Sequence, residues 1–316
     1  MTTALITGGN GNLGRRVAAR LLAAGQEVVS VDRPGTEPAH TEPGISIVSG
    51  DVRDGGLLRD AVETHRPDTI YHLASLLSGS SETDLRATWD INASASFELL
   101  DLAHRHGVGR FFFASSIATY AAVDADPMPL DYPQWPVNLY GATKVAVERA
   151  GTYFKLRHGL DFRCLRFPLV ISPDAPPGAV SAFPSHAFRA AFNGEPFTFP
   201  VAQSTGVSTL FIEDVIDSIV DYVAADASRL REHAYNLHAF YLSAGMVAAE
   251  AERRFPGFDF RFEPLPESDQ LIGGWPDHVD DSAARRDWGW NPRYDFDASA
   301  ACICELLAHA ASNGDS

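Results

Sequence analysis

Cysteines, basic side chains and long apolar runs are all scarce in this chain. Three cysteines among 316 residues are too few for a disulfide framework, and their small, odd number favours a reducing compartment. Lys and Arg together number 25, against 41 Asp and Glu, which gives a net charge of −16. This acidity opposes binding to a phosphate backbone, so we expect no nucleic-acid partner.

Membrane and targeting signals are missing from the sequence as well. No apolar run approaches the roughly 20 residues that span a bilayer. The first residues lead directly into the apolar stretch Ala4–Ile6 without a basic leader, so no secretory signal is recognisable. We therefore expect a cytoplasmic protein with no membrane partner.

Short apolar runs alternate regularly with amphipathic stretches in the first half of the chain. Such alternation predicts βαβ units and an α/β fold with a doubly wound parallel sheet of the Rossmann type. The predicted strands are Thr3–Thr7, Glu27–Val31, Ile45–Val48, Thr69–His72, Arg110–Ala114 and Phe162–Phe167. The predicted helices are Leu13–Ala24, Gly56–His65, Leu85–His106 and Tyr140–His158.

This rhythm breaks after residue 167, where prolines cluster. We expect residues 1–167 to form a dinucleotide-binding domain and residues 168–316 a smaller α/β substrate-binding lobe. A strand and helix within residues 207–225 are expected to return to the first domain. Further elements predicted in the lobe are the helix Glu213–Ala225, the strand Asp259–Glu263 and the helix Asp297–Ala308.

A glycine-rich segment links the first predicted strand to the first helix. Gly8, Gly11 and Gly14 form the pattern G-x-x-G-x-x-G. Glycines let the backbone turn tightly and approach a pyrophosphate, whose charge a helix N-terminus favours. The cofactor-binding residues predicted here are Gly8, Asn10, Gly11, Asn12, Leu13 and Gly14.

A carboxylate at the end of the second predicted strand indicates which dinucleotide binds. Asp32 is placed to accept hydrogen bonds from the adenosine ribose hydroxyls and to repel a 2′-phosphate, which favours NAD over NADP. Arg33, Arg15 and Arg16 could instead meet a phosphate, although a solvated helix face is the simpler interpretation of the last two.

Asp51 and Val52 follow the third predicted strand. Their place at the same edge of the sheet predicts that they reach the adenine. An aspartate in an ordinary turn is an equally good interpretation of Asp51, and the sequence leaves the two open.

The pattern Tyr-x-x-x-Lys occurs at Tyr140 and Lys144. Residues i and i+4 share one helix face, and a neighbouring ammonium lowers the pKa of a tyrosine from about 10 toward neutrality. Such a tyrosine can take the proton of an alcohol. Ser116, just past the fifth predicted strand, is placed to hold the substrate oxygen, with Ser115 as support, although a serine-rich turn is the alternative.

Together these residues resemble the extended short-chain dehydrogenase/reductase superfamily, whose members include NAD-dependent epimerases and dehydratases. The resemblance implies a doubly wound sheet, a bound nicotinamide cofactor and commonly a homodimer formed through the Leu85–His106 and Tyr140–His158 helices. The matching residues are Gly8, Gly11, Gly14, Asp32, Asp51, Val52, His72, Leu73, Ala74, Asn92, Ser116, Tyr140 and Lys144.

Three segments resemble the short-chain type of L-threonine 3-dehydrogenase more narrowly: residues 72–79, residues 171–178, and Trp275-Pro276 together with residues 280–290. The resemblance implies oxidation of a 3-hydroxy acid or amino acid, with L-threonine, giving 2-amino-3-oxobutanoate, as the best single substrate. Ser78 would hold the polar end of this small molecule, Ser116 and Tyr140 its hydroxyl, and Lys144 the nicotinamide ribose. Further residues expected from the resemblance are Leu73, Ala74, Ser75 and Phe167 at the cofactor, and Ser181 and Trp275 at the substrate.

Two departures from that family keep the substrate open. The run from Ala179 to Ser185 replaces a Gly/Thr-rich run, so that at best Ser181 substitutes for a threonine, and Gly206–Thr209 lacks an arginine that the family carries. A missing cation weakens carboxylate recognition, so a sugar-derived hydroxy acid is an alternative substrate.

Two other functions remain as alternatives. A nucleotide-sugar epimerase or dehydratase shares the fold, but Arg166–Leu169 lacks the asparagine those relatives use. A cofactor-sensing protein without catalysis would not need the tyrosine and lysine. Cys302 and Cys304 with His309 lack a second ligand pair, so we predict no metal site.

Overall fold

Parallel strands form the central sheet of the molecule, as the sequence predicts. The computed structural model describes residues 2–35, 43–175 and 179–312. The first six strands are β1 (Thr3–Thr7), β2 (Glu27–Asp32), β3 (Ile45–Ser49), β4 (Thr69–His72), β5 (Arg110–Ser116) and β6 (Asp161–Phe167). The later strands are β7 (Leu169–Ile171), β8 (Phe197–Phe199), β9 (Gly206–Phe211), β10 (Tyr235–Asn236), β11 (Phe240–Ser243) and β12 (Phe260–Phe262).

The order of the main sheet is β10-β6-β5-β4-β1-β2-β3, with every pair parallel. The chain reverses its direction of winding between β1 and β4. Ligands of open α/β sheets bind at the carboxyl ends of the strands at such a reversal. The doubly wound Rossmann fold is therefore confirmed.

Helices cover both faces of this sheet. They are α1 (Asn12–Ala23), α2 (Gly55–His65), α3 (Leu85–Trp89), α4 (Ala95–Arg105), α5 (Leu139–His158), α6 (Phe183–Asn193), α7 (Ile212–Ala224), α8 (Ala244–Arg254), α9 (Pro266–Gly273), α10 (Ser282–Trp288) and α11 (Phe296–Ser312). Phe111 and Phe113 of β5 pack toward α4 and α5, whereas Phe112 belongs to the core on the other face. The centre of this strand, residues 111–114, is apolar without alternation, as expected for a strand that is buried on both faces.

The predicted helical stretch Leu85–His106 is helical from Leu85 to Arg105, but it is not one regular α-helix. A π-helical turn, Asp90–Ser94, separates α3 from α4. The turn carries the buried side chain of Asn92, which bonds both backbone groups of Leu76. A regular hydrophobic period does not reveal such a turn, because the residues on either side of it remain helical.

The second half of the chain is more regular than its prolines suggest. Pro184 lies in the first turn of α6, where a missing N–H costs nothing. The predicted return of a strand within residues 207–225 is wrong, because β9 pairs with β7 and β11 in a separate sheet. The strand that joins the main sheet is β10, while α7 does pack on α1 and β6. The division into two domains at residue 167 stays a prediction.

Candidate functional site

The glycine loop after β1 is built for close backbone approach. Gly8 has a φ of +72°, and a Cβ atom there would lie 2.9 Å from the Ala74 backbone nitrogen. A Cβ atom on Gly14 would overlap the Gly8 carbonyl oxygen. These two positions therefore require glycine, because the loop after β1 lies directly against Ala74 and the first turn of α1 lies directly against this loop.

The start of α1 fits the phosphate groups of a dinucleotide. Its N-cap is Gly11, no side chain caps it, and its first turn has no acidic residue. Within the described residues the backbone N–H groups of Asn12 and Leu13 have no acceptor. Unpaired N–H groups at a helix N-terminus bind anions. The Asn12 and Leu13 N–H groups therefore fit a pyrophosphate.

Asp32 lies beside this loop. One carboxylate oxygen accepts a hydrogen bond of 2.8 Å from the Asn10 backbone N–H, and the other accepts one from the Arg33 N–H. The carboxylate is therefore fixed at the end of β2, where the predicted ribose contact requires it. A fixed negative charge here also fits NAD better than NADP.

The other charged residues near the loop have partners elsewhere. Arg15 and Arg16 both pair with Asp174, and Arg16 also pairs with Glu213 at 3.0 Å. The two arginines therefore bind the second half of the chain. They are neither phosphate ligands in this arrangement nor a merely solvated face.

Asp51 binds its neighbour Arg53 at 2.6 Å, and this hydrogen bond lowers the pKa of the Asp51 carboxyl. Val52 is buried. This ion pair supports the interpretation of Asp51 as a turn residue. If Asp51 also contacts adenine, it does so while bound to Arg53.

Residues 73–75 pass directly under the glycine loop. The Leu73 N–H donates to the Thr7 carbonyl oxygen at 3.1 Å, and the Ala74 N–H donates to the Thr7 hydroxyl at 3.3 Å. The Ser75 hydroxyl donates to the Leu76 carbonyl oxygen. Leu73 and Ala74 are therefore brought to the predicted cofactor site by the ends of β1 and β4.

The beginning of α5 brings Tyr140 to the end of β5. The Asn138 side chain caps the helix by accepting the Gly141 N–H at 2.9 Å. A Cβ atom on Gly141 would overlap the Ala118 carbonyl oxygen. This close packing brings the Tyr140 hydroxyl near the Ser116 side chain, so the structure brings these two predicted residues together.

Lys144 is buried one helical turn further along. Its Nζ atom donates to the Ala114 carbonyl oxygen at 2.8 Å and lies 5.3 Å from the centre of the Tyr140 ring and 4.8 Å from that of Phe113. Burial lowers the pKa of Lys144 to about 8. The lysine thus faces the same side of α5 as the tyrosine.

The predicted acidity of Tyr140 is wrong for the protein alone. Burial raises the pKa of Tyr140 to about 12, and the nearby Ser116 side chain only partly opposes this shift. The amine of Lys144 is bonded to the backbone of β5. Desolvation of the phenolate therefore outweighs the neighbouring ammonium.

The loop that carries Ser78 is tied to the same region at two points. The Asn92 side chain binds both backbone groups of Leu76, at 2.8 and 3.0 Å. The Glu82 carboxylate accepts the Leu139 N–H at 2.8 Å. Because Leu139 precedes Tyr140, these bonds hold the buried Ser78 loop next to the start of α5.

The remaining predicted site residues lie further along the chain. Phe167 is buried at the end of β6, in register with Ser116. Ser181 lies in a short helical turn that packs on α9. Trp275 follows α9 and is buried, and its indole N–H has no acceptor among the described residues. Pro176, Pro177 and Gly178 of the narrower resemblance lie outside the described residues.

Sequence reasoning missed a buried ion pair behind the lysine. Glu148 and Arg166 are 2% and 7% exposed and approach to 2.7 Å. The hydroxyl of Ser115 donates to Glu148 at 2.5 Å, and Arg166 donates to the Tyr120 hydroxyl at 2.7 Å. The available signal was the position of Glu148, four residues after Lys144 on the same helix face.

Comparison with known proteins places these features in one family. The family model described as NAD dependent epimerase/dehydratase family matches residues 4–237. The chain belongs to this family. The mitochondrial L-threonine 3-dehydrogenase of Sus scrofa is 31% identical over 310 residues, which cover 97% of this chain and 82% of that protein.

Two solved structures are similar over nearly the whole epimerase/dehydratase chain. A partial consensus L-threonine 3-dehydrogenase has a TM-score of 0.91 at 30% identity, covering 97% of this chain and 99% of its own. The holo form of a GalE-like L-threonine dehydrogenase from Cupriavidus necator has a TM-score of 0.89 at 29% identity, with 96% and 99% covered. The predicted resemblance to short-chain dehydrogenases is confirmed, and this family member is an NAD-dependent oxidoreductase.

The segment Trp288-Gly289-Trp290 of this epimerase/dehydratase chain serves packing. Trp288 packs its ring on Tyr222 and Tyr235, and the Trp290 N–H donates to Asp281. No helix in the described ranges is both long and apolar enough to cross a bilayer.

Proposed function

We propose that this protein oxidises the secondary alcohol of a small 3-hydroxy acid or amino acid with NAD, and that L-threonine is its best single substrate. The observation that carries the proposal is the joint placement of Ser116, Tyr140 and Lys144 at the end of β5. This end of the sheet is the side on which the glycine loop and Asp32 fit a dinucleotide. The relatives named L-threonine 3-dehydrogenase support this choice of substrate.

In the proposed reaction, Ser116 and Tyr140 bind the alcohol oxygen. Tyr140 takes the hydroxyl proton while a hydride leaves the carbon, so that L-threonine becomes 2-amino-3-oxobutanoate. NAD, when bound, supplies the hydride acceptor and a positive charge that favours the phenolate. Lys144 would bind the nicotinamide ribose and keep the Tyr140 side chain oriented toward the substrate. Leu73, Ala74, Ser75 and Phe167 would line the cofactor, and Ser78, Ser181 and Trp275 the substrate.

A sugar-derived hydroxy acid is the second candidate substrate. It is supported by a polar pair that includes Ser208 on β9. Ser208, within the segment where the L-threonine enzymes carry an arginine, is buried and shares a hydrogen bond of 2.7 Å with His238. Burial lowers the pKa of His238 to about 4, so this imidazole is neutral at pH 7. A neutral pair of this kind suits one of the additional hydroxyl groups of a sugar-derived acid, which L-threonine lacks.

We also propose a homodimer formed through α3, α4 and α5. These helices expose an unusual number of large apolar side chains for a protein surface, which favours a partner. The exposed residues are Leu85, Trp89, Phe97, Tyr153 and Leu156.

The three cysteines are free, which supports a reducing compartment such as the cytoplasm.

A substrate panel tests the proposed function. Purified protein with NAD is mixed with L-threonine, other 3-hydroxy amino acids, sugar-derived hydroxy acids and nucleotide sugars, and reduced nicotinamide is followed by its absorbance. Turnover of L-threonine supports the first candidate, and turnover of a sugar acid alone supports the second. Conversion of nucleotide sugars alone would refute both.

A further inference from the structure

Three consecutive residues of β5 face three residues on one side of α5. The Ala114 carbonyl oxygen accepts the Lys144 ammonium, the Ser115 hydroxyl donates to Glu148, and Ser116 lies near the Tyr140 hydroxyl. Positions 140, 144 and 148 are each one helical turn apart. Glu148 therefore completes a row that already contains the proposed base and its lysine.

Arg166 fixes Glu148 from the neighbouring strand. Arg166 lies beside Ser115 in the β5–β6 register, and it binds both carboxylate oxygens of Glu148, at 3.0 and 2.7 Å. Gln134 donates a further hydrogen bond at 3.1 Å. The Glu148 carboxylate thus accepts hydrogen bonds from Ser115 on β5, Arg166 on β6 and Gln134 in a loop. These bonds leave α5 little freedom to slide along β5.

A buried ion pair of this kind contributes little net free energy to the stability of a fold. Desolvation of both charges cancels most of their attraction, and apolar residues often replace such a pair without loss of stability. What the pair supplies is a defined geometry and a fixed charge. That charge lies one turn from Lys144, and Arg166 and Ser115 together keep the Glu148 carboxyl ionised.

We propose that Glu148 and Arg166 are positioning residues for the proposed reaction, which hold α5 in register with β5 and keep Lys144 charged beside Tyr140. This inference rests on the proposed alcohol oxidation. Loss of the carboxylate would remove the negative charge of Glu148, which favours the ammonium form of Lys144 one helical turn away. The titratable groups that face Lys144 are Tyr140 and Glu148 on α5, Cys164 on β6 and His72 on β4, and Arg166 binds Glu148 behind them.

The composition of the chain permits a direct test without substrate or cofactor. Lys144 and Lys155 are its only lysines, so protein labelled with 13C at the lysine ε-carbon gives two NMR signals that can be titrated. Wild type is expected to show Lys144 with a midpoint of about 8. Glu148→Gln should lower that midpoint by about one pH unit and leave Lys155 unchanged.

A matched control is Glu250→Gln, which removes another buried carboxylate that pairs with arginines, on α8. It should shift neither lysine. An unchanged Lys144 midpoint in Glu148→Gln, or an equal shift in Glu250→Gln, overturns the inference.

Kinetics separate this inference from the proposed function. Glu148→Asp keeps the charge but shortens the side chain, so we expect it to retain the Lys144 midpoint and to lower kcat with little change in NAD affinity. A kcat equal to wild type in Glu148→Asp overturns the positioning role, even if Glu148→Gln does not fold. Absence of alcohol oxidation in wild type would instead refute the proposed function, while the lysine titration would still report on the ion pair.

Discussion

Gly141 lies so close to the carbonyl oxygen of Ala118 that a single methyl group on its Cα would overlap that oxygen. The contact joins the first turn of α5 to the turn that follows β5. Tyr140 is the residue before Gly141, and Ser116 lies two residues before Ala118. The distance between these two hydroxyls therefore depends on a backbone contact that only glycine allows.

Gly141→Ala should displace the start of α5 and with it the Tyr140 hydroxyl. We expect kcat to fall by about 100-fold, because a small misplacement of a reacting group costs that much, and the unfolding free energy to fall by about 1–3 kcal/mol. Steady-state kinetics and denaturant unfolding measure both. Gly273→Ala in α9 is the control, because its nearest neighbouring atom would be 3.9 Å away. Equal kinetics in the two variants would contradict the prediction.

Tyr140→Phe removes the proposed base and keeps the ring. We expect kcat to fall by about 100-fold or more, with the NAD dissociation constant nearly unchanged. Tyr132→Phe removes an exposed phenol that donates to Asp124 and should keep full activity. Wild-type turnover by the Tyr140 variant would exclude the mechanism.

His72 should make the protein acid-labile. Burial, aided by the charge of Lys144, lowers the pKa of His72 from 6.5 to about 3. Below pH 6.5 the unfolded chain therefore binds a proton that the folded chain does not, and stability is lost as the pH falls toward 3, by about 5 kcal/mol in total. His72→Gln should reduce this pH dependence of the unfolding free energy, whatever its stability at pH 7.

Denaturant unfolding between pH 4 and pH 7 measures that slope. His233→Gln, which changes an exposed histidine, should keep the wild-type slope. If His72→Gln loses stability with pH as steeply as wild type does, another group is responsible.

Asp32→Ser should weaken the preference for NAD. The carboxylate is held by the Asn10 N–H, and its removal deletes charged hydrogen bonds to the ribose and the repulsion of a 2′-phosphate. We expect NAD affinity to fall by about tenfold or more and NADP affinity to rise, as measured by calorimetry. Asp51→Asn is the control, because its carboxylate already binds Arg53. An unchanged ratio of the two affinities in Asp32→Ser would contradict the role of this residue.

Local patterns were enough to predict the first six strands of the main sheet and the placement of Ser116, Tyr140 and Lys144 at its carboxyl edge. The strands around Phe112 and the glycine loop from Gly8 to Gly14 are defined by residues adjacent in sequence, which is why their patterns are readable. Tyr140 and Lys144 share a helix face for the same reason. Ser116 follows from the rule that ligands meet the carboxyl ends of parallel strands.

Features that depend on distant parts of the chain were not predictable in this way. The acidity of Tyr140 was misjudged because burial depends on the whole fold and outweighs a neighbour four residues away. The Glu148–Arg166 pair joins a helix to a strand, and β9 pairs with β7 and β11, contacts that no local pattern reports.

The ion pairs of α1 have a practical consequence for protein engineering. Arg15 and Arg16 bind Asp174 after β7, Arg16 also binds Glu213 of α7, and the Asn12 side chain bonds Ser172. The helix whose first turn is proposed to bind the cofactor phosphates is thus fastened to the half of the chain expected to select the substrate. A chimera that exchanges only residues 168–316 with a relative would break these contacts, so the graft has to bring α1 with it.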